Sequence, residues 1–510
     1  MPDVSNPNAN KRRVVSNLII MSSGTVATWL VSTVYLVLMS RYLGATLQGE
    51  FSRASYAVLL LGLVISLGID TYITRTVARS PERAPALIGA ALILRAALTL
   101  PLLAAFILYL RFVPHVPAES RAIGYILFAG MVVGALGSPL MAAFQAREQM
   151  SLGVISAVVQ NLLELALVGA IIVLHGGLVA FAVASVMMSV IQLGLALYWA
   201  RRSIHVTLRV ALADVREVAA GGLAFWVGGF VVTFYTYIDS VILGSLAGDK
   251  PVGLYAAALR LLGVPFFLPG IIGAATLPLL SRLGVGVQAD FARVSRKTLA
   301  LLLLCIVPLT IATATFAEPL ILTIYGRAYA GAAPVLVVLA LLIPPTFLNI
   351  QFYQMLVARN QQWRWTVIMV VGCIANPLLN LALIPYAARQ WHNAALGAAC
   401  SLVATEVVMV VYGVVLLRDI VLHRPLGRVL AGALTGGAAQ GIVLWLTEAL
   451  WPPLGQALGL AAFGVVAVAL GALPREDVGY LWDTLRGQLR DARARLQPRR
   501  TVALTPPDGG

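Results

Sequence analysis

Long apolar runs follow one another along almost the whole chain, separated by short polar gaps. A helix needs about 20 mostly apolar residues to cross the hydrocarbon core of a bilayer. On that rule the runs predict fourteen spans, near 15–40, 52–78, 86–110, 121–145, 150–174, 177–200, 217–244, 254–280, 298–324, 333–357, 364–386, 394–417, 428–450 and 456–473. The runs are continuous and lack period-two alternation, which excludes a transmembrane β-barrel. Backbone polar groups in lipid must pair within their own segment, so the spans are helices. The expected fold class is an all-α polytopic membrane protein with about fourteen transmembrane helices.

Composition strengthens that reading. Hydrophobic residues make up 60% of the chain and charged residues 11%, against about 25% charged in soluble domains. A water-facing surface cannot be built from so few charges. The net charge of +15 would suggest nucleic acid, but its distribution points to topology instead. With the amino terminus inside, 27 Lys and Arg fall in inner segments and 7 in outer ones, and Arg95 and Arg260 remain within spans. Excess Lys and Arg mark the cytoplasmic side. Both termini are therefore expected in the cytoplasm, with the chain in the cytoplasmic (inner) membrane and no nucleic-acid partner. Residues 1–14 are polar and end in Lys11-Arg12-Arg13 before a long apolar run, so the first span is expected to be retained rather than cleaved. Cys305, Cys373 and Cys400 lie within spans and read as packing residues.

The longest internal loop, 201–216, is too short to bury a core of its own and divides the first twelve spans into six and six. The two sets look related. Leu43-Gly44-Ala45 leading to Gly49-Glu50-Phe51 matches Leu243-Gly244-Ser245 leading to Gly253-Leu254-Tyr255. Phe144-Gln145-Ala146-Arg147-Glu148-Gln149 joins spans 4 and 5 as Leu356-Val357-Ala358-Arg359-Asn360-Gln361 joins spans 10 and 11. Each set starts on the same side, so the repeat is parallel, about an axis along the membrane normal. The expected organisation is a cytoplasmic segment 1–14, an N-lobe 15–200, the loop 201–216, a C-lobe 217–417, spans 13–14 over 418–473, and a basic tail 474–510. The expected architecture is two six-helix bundles in pseudo-two-fold relation plus two peripheral helices. In the tail, Val478, Leu481, Trp482, Leu485 and Leu489 follow helical spacing among arginines, as in a helix on an anionic leaflet or in a solvated tail.

Ser40-Arg41-Tyr42-Leu43-Gly44 through Gly49-Glu50-Phe51, then Phe144-Gln145-Ala146-Arg147, then Asn376-Pro377-Leu378-Leu379-Asn380 through Pro385 and Leu396-Gly397-Ala398-Ala399, resemble O-antigen and exopolysaccharide flippases. These belong to the multidrug/oligosaccharidyl-lipid/polysaccharide exporter superfamily. The resemblance covers spans 1 to 12. It implies translocation of a polyprenyl-pyrophosphate-linked oligosaccharide between leaflets. It also implies membrane lipids as surroundings, and a polysaccharide polymerase and glycosyltransferases as pathway partners. A multidrug or cation antiporter of the same superfamily is the alternative. A membrane glycosyltransferase or ligase is the alternative from another class, and the short outer loops argue against it.

An ionisable residue inside a span is expensive and marks function by default. Arg95 lies near the middle of span 3. Glu164 lies in span 5 with Gln160 and Asn161 on the same face, and Asn376 and Asn380 form an i, i+4 pair in span 11. The repeat sets Glu164 opposite Asn376, so both faces should point at the central axis. Arg95 would offer a cation to a pyrophosphate or an acidic sugar, and Glu164 would hold a coupling ion, a proton or sodium. The structural alternative is an Arg95–Glu164 ion pair. Asp239 and Arg260 should lie at similar depth in the span 7–8 hairpin, which favours a second ion pair. Asp70 should pair locally with Arg75. Pro265, Pro269 and Pro278 in span 8, and Pro344 and Pro345 in span 10, bend their helices as hinges or as static kinks. The five histidines show no metal-ligand spacing, and no phosphate-binding Gly-rich loop is present. No enzyme activity and no cofactor are expected.

Overall fold

The structure, a computed structural model, describes residues 7–112, 118–203, 207, 209–283, 288–447 and 452–472. Among these residues it is all helix and turn. In chain order the helices are α1 Pro7–Ser66, α2 Ile69–Arg79, α3 Ala84–Phe112, α4 Ala118–Ala146, α5 Met150–Val173, α6 Leu178–Ser203, α7 Leu212–Ala247, α8 Asp249–Leu262 and α9 Phe267–Leu283. They continue with α10 Gln288–Thr315, α11 Ala317–Ile324, α12 Ala332–Ala340, α13 Ile343–Ala358, α14 Gln362–Gln390, α15 Ala394–Leu416, α16 Arg418–Val421, α17 Arg424–Leu446 and α18 Pro452–Ala469. The basic tail beyond residue 473 lies outside the described residues.

Eleven of the described helices are long and apolar enough to cross a membrane, or twelve if α12 and α13, bent by 43°, form one span. The protein is a multi-pass membrane protein. The difference from fourteen has physical causes. Helix α1 has 60 residues, about 90 Å at ~1.5 Å per residue, far more than a hydrocarbon core of about 30 Å. Two predicted spans run together in it, and it breaks at Gly44, whose φ of 73° and ψ of 173° are not helical. The predicted eighth span is divided into α8 and α9, with Pro265 in the break. Pro344 and Pro345 open α13, next to the α12–α13 bend.

Contacts divide the chain into two compact units, residues 1–281 with 313–415, and residues 282–312 with 416–510. This cuts across the expected C-lobe, because most of α10 groups with α16–α18. Within that second unit Leu304 packs with Ala433, Phe463 and Ala467. Gln440 donates to the Pro308 carbonyl at 3.3 Å, and Arg296 donates to the carbonyls of Asp419 and Ile420.

The first unit carries the repeat in its backbone. Gly44 and Gly248 share one conformation, with φ of 73° and 80°, a region where only glycine is free of Cβ strain. Glu148 and Asn360, in the two matched turns, have φ of 60° and 57°. His175 and His392 close the following helices at 53° and 51°. The matched glycines also meet. A Cβ on Gly49 would stand 1.8 Å from the Asp249 carbonyl oxygen, and one on Gly253 would stand 2.0 Å from that of Ala45. Helices α1 and α8 thus cross backbone against backbone.

Candidate functional site

The first polar cluster forms where α1 ends. Leu67 and Gly68 adopt φ of 42° and 66°, and the chain turns there into α2. This aims Asp70, in the first turn of α2, at α3 and α4. Asp70 Oδ1 pairs with Arg95 Nη2 at 2.8 Å. Ser138 Oγ donates to Asp70 Oδ2 at 2.9 Å. Arg95 Nη1 donates to Ser138 Oγ at 2.6 Å and also to the Ala135 carbonyl. Arg95 is 1% exposed, whereas the Asp70 side chain is 37% exposed. The expected local Asp70–Arg75 pair is therefore replaced. Arg75 lies five residues further along α2, exposed, with its guanidinium over the Phe225 ring. The expected Arg95–Glu164 pair is replaced as well. Glu164 on α5 instead accepts from the Tyr35 hydroxyl on α1. Asn161 donates back to its own helix at the Ala157 carbonyl, 2.7 Å away. Gln160 is half-buried on the same helix.

A second cluster joins α7, α8 and α14. Asp239 is 1% exposed. Tyr255 Oη donates to its Oδ2 at 3.0 Å, and Asn380 Nδ2 donates to its Oδ1 at 2.5 Å. Asn380 also donates to Asn376 Oδ1 at 3.0 Å. The expected Asp239–Arg260 ion pair does not form, for reasons of register. Counted from the turn at Gly248, Tyr255 comes level with Asp239, and Arg260 sits more than a helical turn further along α8. Arg260 Nη2 reaches α1, donating to Ser32 Oγ at 2.9 Å and lying 3.5 Å from Thr33 Oγ1. Its Nε is buried without a hydrogen-bond partner among the described residues. Tyr35, Tyr56 and Tyr325 lie within reach of its charge. Among the described residues, no ion pair forms between Arg260 and a carboxylate.

Two features escaped the sequence reading. Glu406 on α15 is 8% exposed and takes Tyr235 Oη at 3.1 Å and Asn349 Nδ2 at 2.6 Å. It is the only acidic or basic residue of α15, so the rule that flagged Arg95 and Glu164 would have found it. Arg53, one of the seven Lys and Arg assigned to outer segments in the count of charge by side, is instead buried within α1 and pairs with Asp249 at 2.9 Å. The two buried carboxylates Asp239 and Glu406 lie near each other through α7, since Tyr235 and Asp239 are one helical turn apart. The partners Tyr255, Asn380, Tyr235 and Asn349 are all neutral.

The fold is that of a helical transporter. It matches the lipid II flippase MurJ in an inward closed conformation with a TM-score of 0.72 at 12% identity, covering 89% of this chain and 99% of that one. It matches an inward-facing multidrug-resistance MATE transporter with a TM-score of 0.64 at 15% identity, covering 80% and 99%. In sequence, residues 225–383 match the MatE family. A Shigella dysenteriae protein named for O-antigen transport is 24% identical over 402 residues, 76% of this chain and 95% of that protein. Residues 14–284 match the family described as polysaccharide biosynthesis proteins, and the chain belongs to that family.

Proposed function

We propose that the protein flips a polyprenyl-pyrophosphate-linked oligosaccharide from the inner to the outer leaflet of the cytoplasmic membrane. The observation that carries this is Arg260, a guanidinium at membrane depth with hydroxyl partners and, among the described residues, no partner for its buried Nε and no ion pair. Such a cation is costly unless an anion completes it, and a guanidinium suits phosphate oxygens. Arg95, whose charge is already paired with Asp70 although its Nε also lacks a partner among the described residues, is a positioning residue in this reading. Family membership and the O-antigen relative support a saccharide cargo.

Fourteen crossings fit this reading, with α1 counted on both sides of Gly44, α8–α9 as one broken span and α12–α13 as one bent span. Both termini then lie in the cytoplasm. Residues 15–200 and 217–417 act as the alternating halves, with 418–473 and the tail 474–510 outside them. The sugar and pyrophosphate cross in the polar interior while the lipid tail stays in the bilayer. Desolvation of the headgroup is the barrier, and polar partners offset it. Asp239 and Glu406 are the groups to hold a coupling ion, a proton or sodium. Beside them, Asn380 and Asn349 each keep a buried Oδ1 without a donor among the described residues, ready to accept from a protonated carboxyl or to ligate a cation. A polymerase and glycosyltransferases are the pathway partners.

Those ion-ready carboxylates favour one second reading, a cation antiporter of the same fold. Leaflet exposure in proteoliposomes separates the two. A polyprenyl-pyrophosphate oligosaccharide is loaded on one side, and its sugar is followed with an impermeant probe. The expected result is protein-dependent exposure that Arg260→Gln abolishes while remaining monodisperse. Absence of exposure, with uptake of a cationic dye against a proton gradient, would favour the antiporter.

A further inference from the structure

The Asp70–Arg95–Ser138 cluster does more than join helices. It forms one wall of a cavity of about 300 Å³ between α2, α4 and α5, at the lower end of ligand-sized pockets, roughly 300–1,000 Å³. Gln145 near the end of α4, Gln149 in the following turn and Gly153 on α5 also line it. Met141 and Val154 complete an apolar side. The ion pair is arranged asymmetrically. Its cation is hidden behind it, 1% exposed, and its carboxylate shows at the cavity, 37% exposed.

That asymmetry selects a ligand. A phosphate entering here would meet the carboxylate edge rather than the guanidinium, so an anion is disfavoured. A cation would find the carboxylate already neutralised by Arg95 and engaged at both oxygens. A carboxylate offers about four lone-pair sites, and Arg95 and Ser138 take one at each oxygen. The remaining pairs can accept from neutral hydroxyls. The two glutamine amides both donate and accept. Met141 and Val154 offer the kind of surface that the C–H face of a pyranose covers.

From this geometry we infer that the cavity is a binding subsite for a neutral, hydroxyl-rich sugar unit, distinct from the anion site at Arg260. Asp70 is the acceptor that reads sugar hydroxyls, and Arg95 and Ser138 are positioning residues that fix its carboxylate. The inference rests on the saccharide cargo proposed above and adds a second point of recognition to it.

Gly153 supplies the test. A Cβ there meets no atom within 4 Å, so Gly153→Phe fills the cavity and leaves the Asp70–Arg95 pair alone. The purified full chain in nanodiscs is titrated by saturation-transfer NMR with neutral methyl hexosides, 6-deoxyhexosides and N-acetylhexosaminides. Inorganic pyrophosphate is titrated separately. At least one sugar class should bind. Gly153→Phe should weaken it tenfold or more, and the double variant Gln145→Ala/Gln149→Ala threefold or more. Pyrophosphate binding should be unchanged in all of these and lost only in Arg260→Gln. The subsite is overturned if no sugar class binds, or if binding survives Gly153→Phe. Sugar binding without any pyrophosphate binding would sink the headgroup reading at Arg260 while leaving the subsite standing.

Discussion

The first and second sets of predicted spans share a backbone and differ in buried chemistry. Gly44 and Gly248, Glu148 and Asn360, and His175 and His392 take matching backbone angles at matching turns. The buried charges do not match. In the first set a carboxylate meets a guanidinium, Asp70 with Arg95. In the second set the partners of the two carboxylates Asp239 and Glu406 among the described residues are neutral, mainly tyrosine hydroxyls and asparagine amides. Removing the charge of a carboxylate held by a guanidinium would strand the cation. A carboxylate held by neutral donors can gain a proton or a cation without stranding anything. The scaffold is therefore duplicated, while a carboxylate held by a guanidinium is found in the first set, beside Glu164 on the Tyr35 hydroxyl, and the two buried carboxylates of the second set have neutral partners.

The sharpest way to break this comparison is to remove each carboxylate. Asp70→Ala leaves Arg95 buried and unpaired, which should destabilise the protein by about 3–5 kcal/mol. The double variant Asp70→Ala/Arg95→Leu should recover most of that loss, since an apolar pair of similar volume is often neutral relative to a buried ion pair. Thermal unfolding in detergent, run as a double-mutant cycle, measures both. If Asp70→Ala melts within a degree of wild type, the pair is not the fixed element argued here.

The shared scaffold comes next. Gly49→Ala and Gly253→Ala each drive a methyl group into the opposing backbone. Overpacking of this kind costs about 1–3 kcal/mol. Because the two sites are related by the repeat and face each other, the losses should be similar in size. The double variant should cost less than their sum, since the first separation of α1 from α8 makes room for the second. A large inequality between the single variants would mean that the crossing is not symmetric in energy, whatever its geometry.

These contrasts also mark what was legible in the chain. Span length and composition are set by the bilayer, so the helices could be read directly. Turn sequences such as Gln145-Ala146-Arg147 and Val357-Ala358-Arg359 carried the repeat, because a tight helix end leaves few residue choices. Buried polar positions were legible as positions, and Arg95, Asp239, Asn376 and Asn380 all lie inside. Their partners were not. Helical spacing gives the face of one helix, but pairing depends on how neighbours are rotated. The break at Leu67–Gly68 turned Asp70 toward Arg95. The one-residue turn at Gly248 set Tyr255, not Arg260, level with Asp239. Glu164 found a hydroxyl on α1 rather than the guanidinium two helices away in sequence.

A smaller effect tests the neutral cluster itself. Tyr235→Phe removes the hydroxyl that Glu406 accepts from while keeping the ring. The loss of one such bond is worth about 1–2 kcal/mol, well below that of Asp70→Ala. A loss as large as that of Asp70→Ala would mean that Glu406 depends on its hydroxyl partner as strongly as Arg95 depends on Asp70, and the two clusters would no longer differ in kind.

The smallest stability effect should accompany a large functional one. Glu406→Gln keeps Oε1 as the acceptor for Tyr235 and replaces Oε2 by an amide NH2, which would face the Asn349 NH2. Asn349 has a remedy, because its buried Oδ1 lacks a donor. Rotating its amide by half a turn presents that oxygen to the new NH2. The bond from Asn349 to the Glu406 backbone carbonyl at 3.0 Å is then given up, so two hydrogen bonds become one. The net cost should be about 1 kcal/mol. Glutamine cannot take up a proton or carry a charge for sodium, so ion-driven transport in proteoliposomes should fall to background while the melting temperature barely moves. An Asp70 variant should show the reverse order, unfolding first and losing transport as a consequence. If Glu406→Gln retained ion-dependent transport, exchangeable charge would have to be assigned to Asp239 alone, and the same measurement on Asp239→Asn would decide whether the second cluster couples to an ion at all.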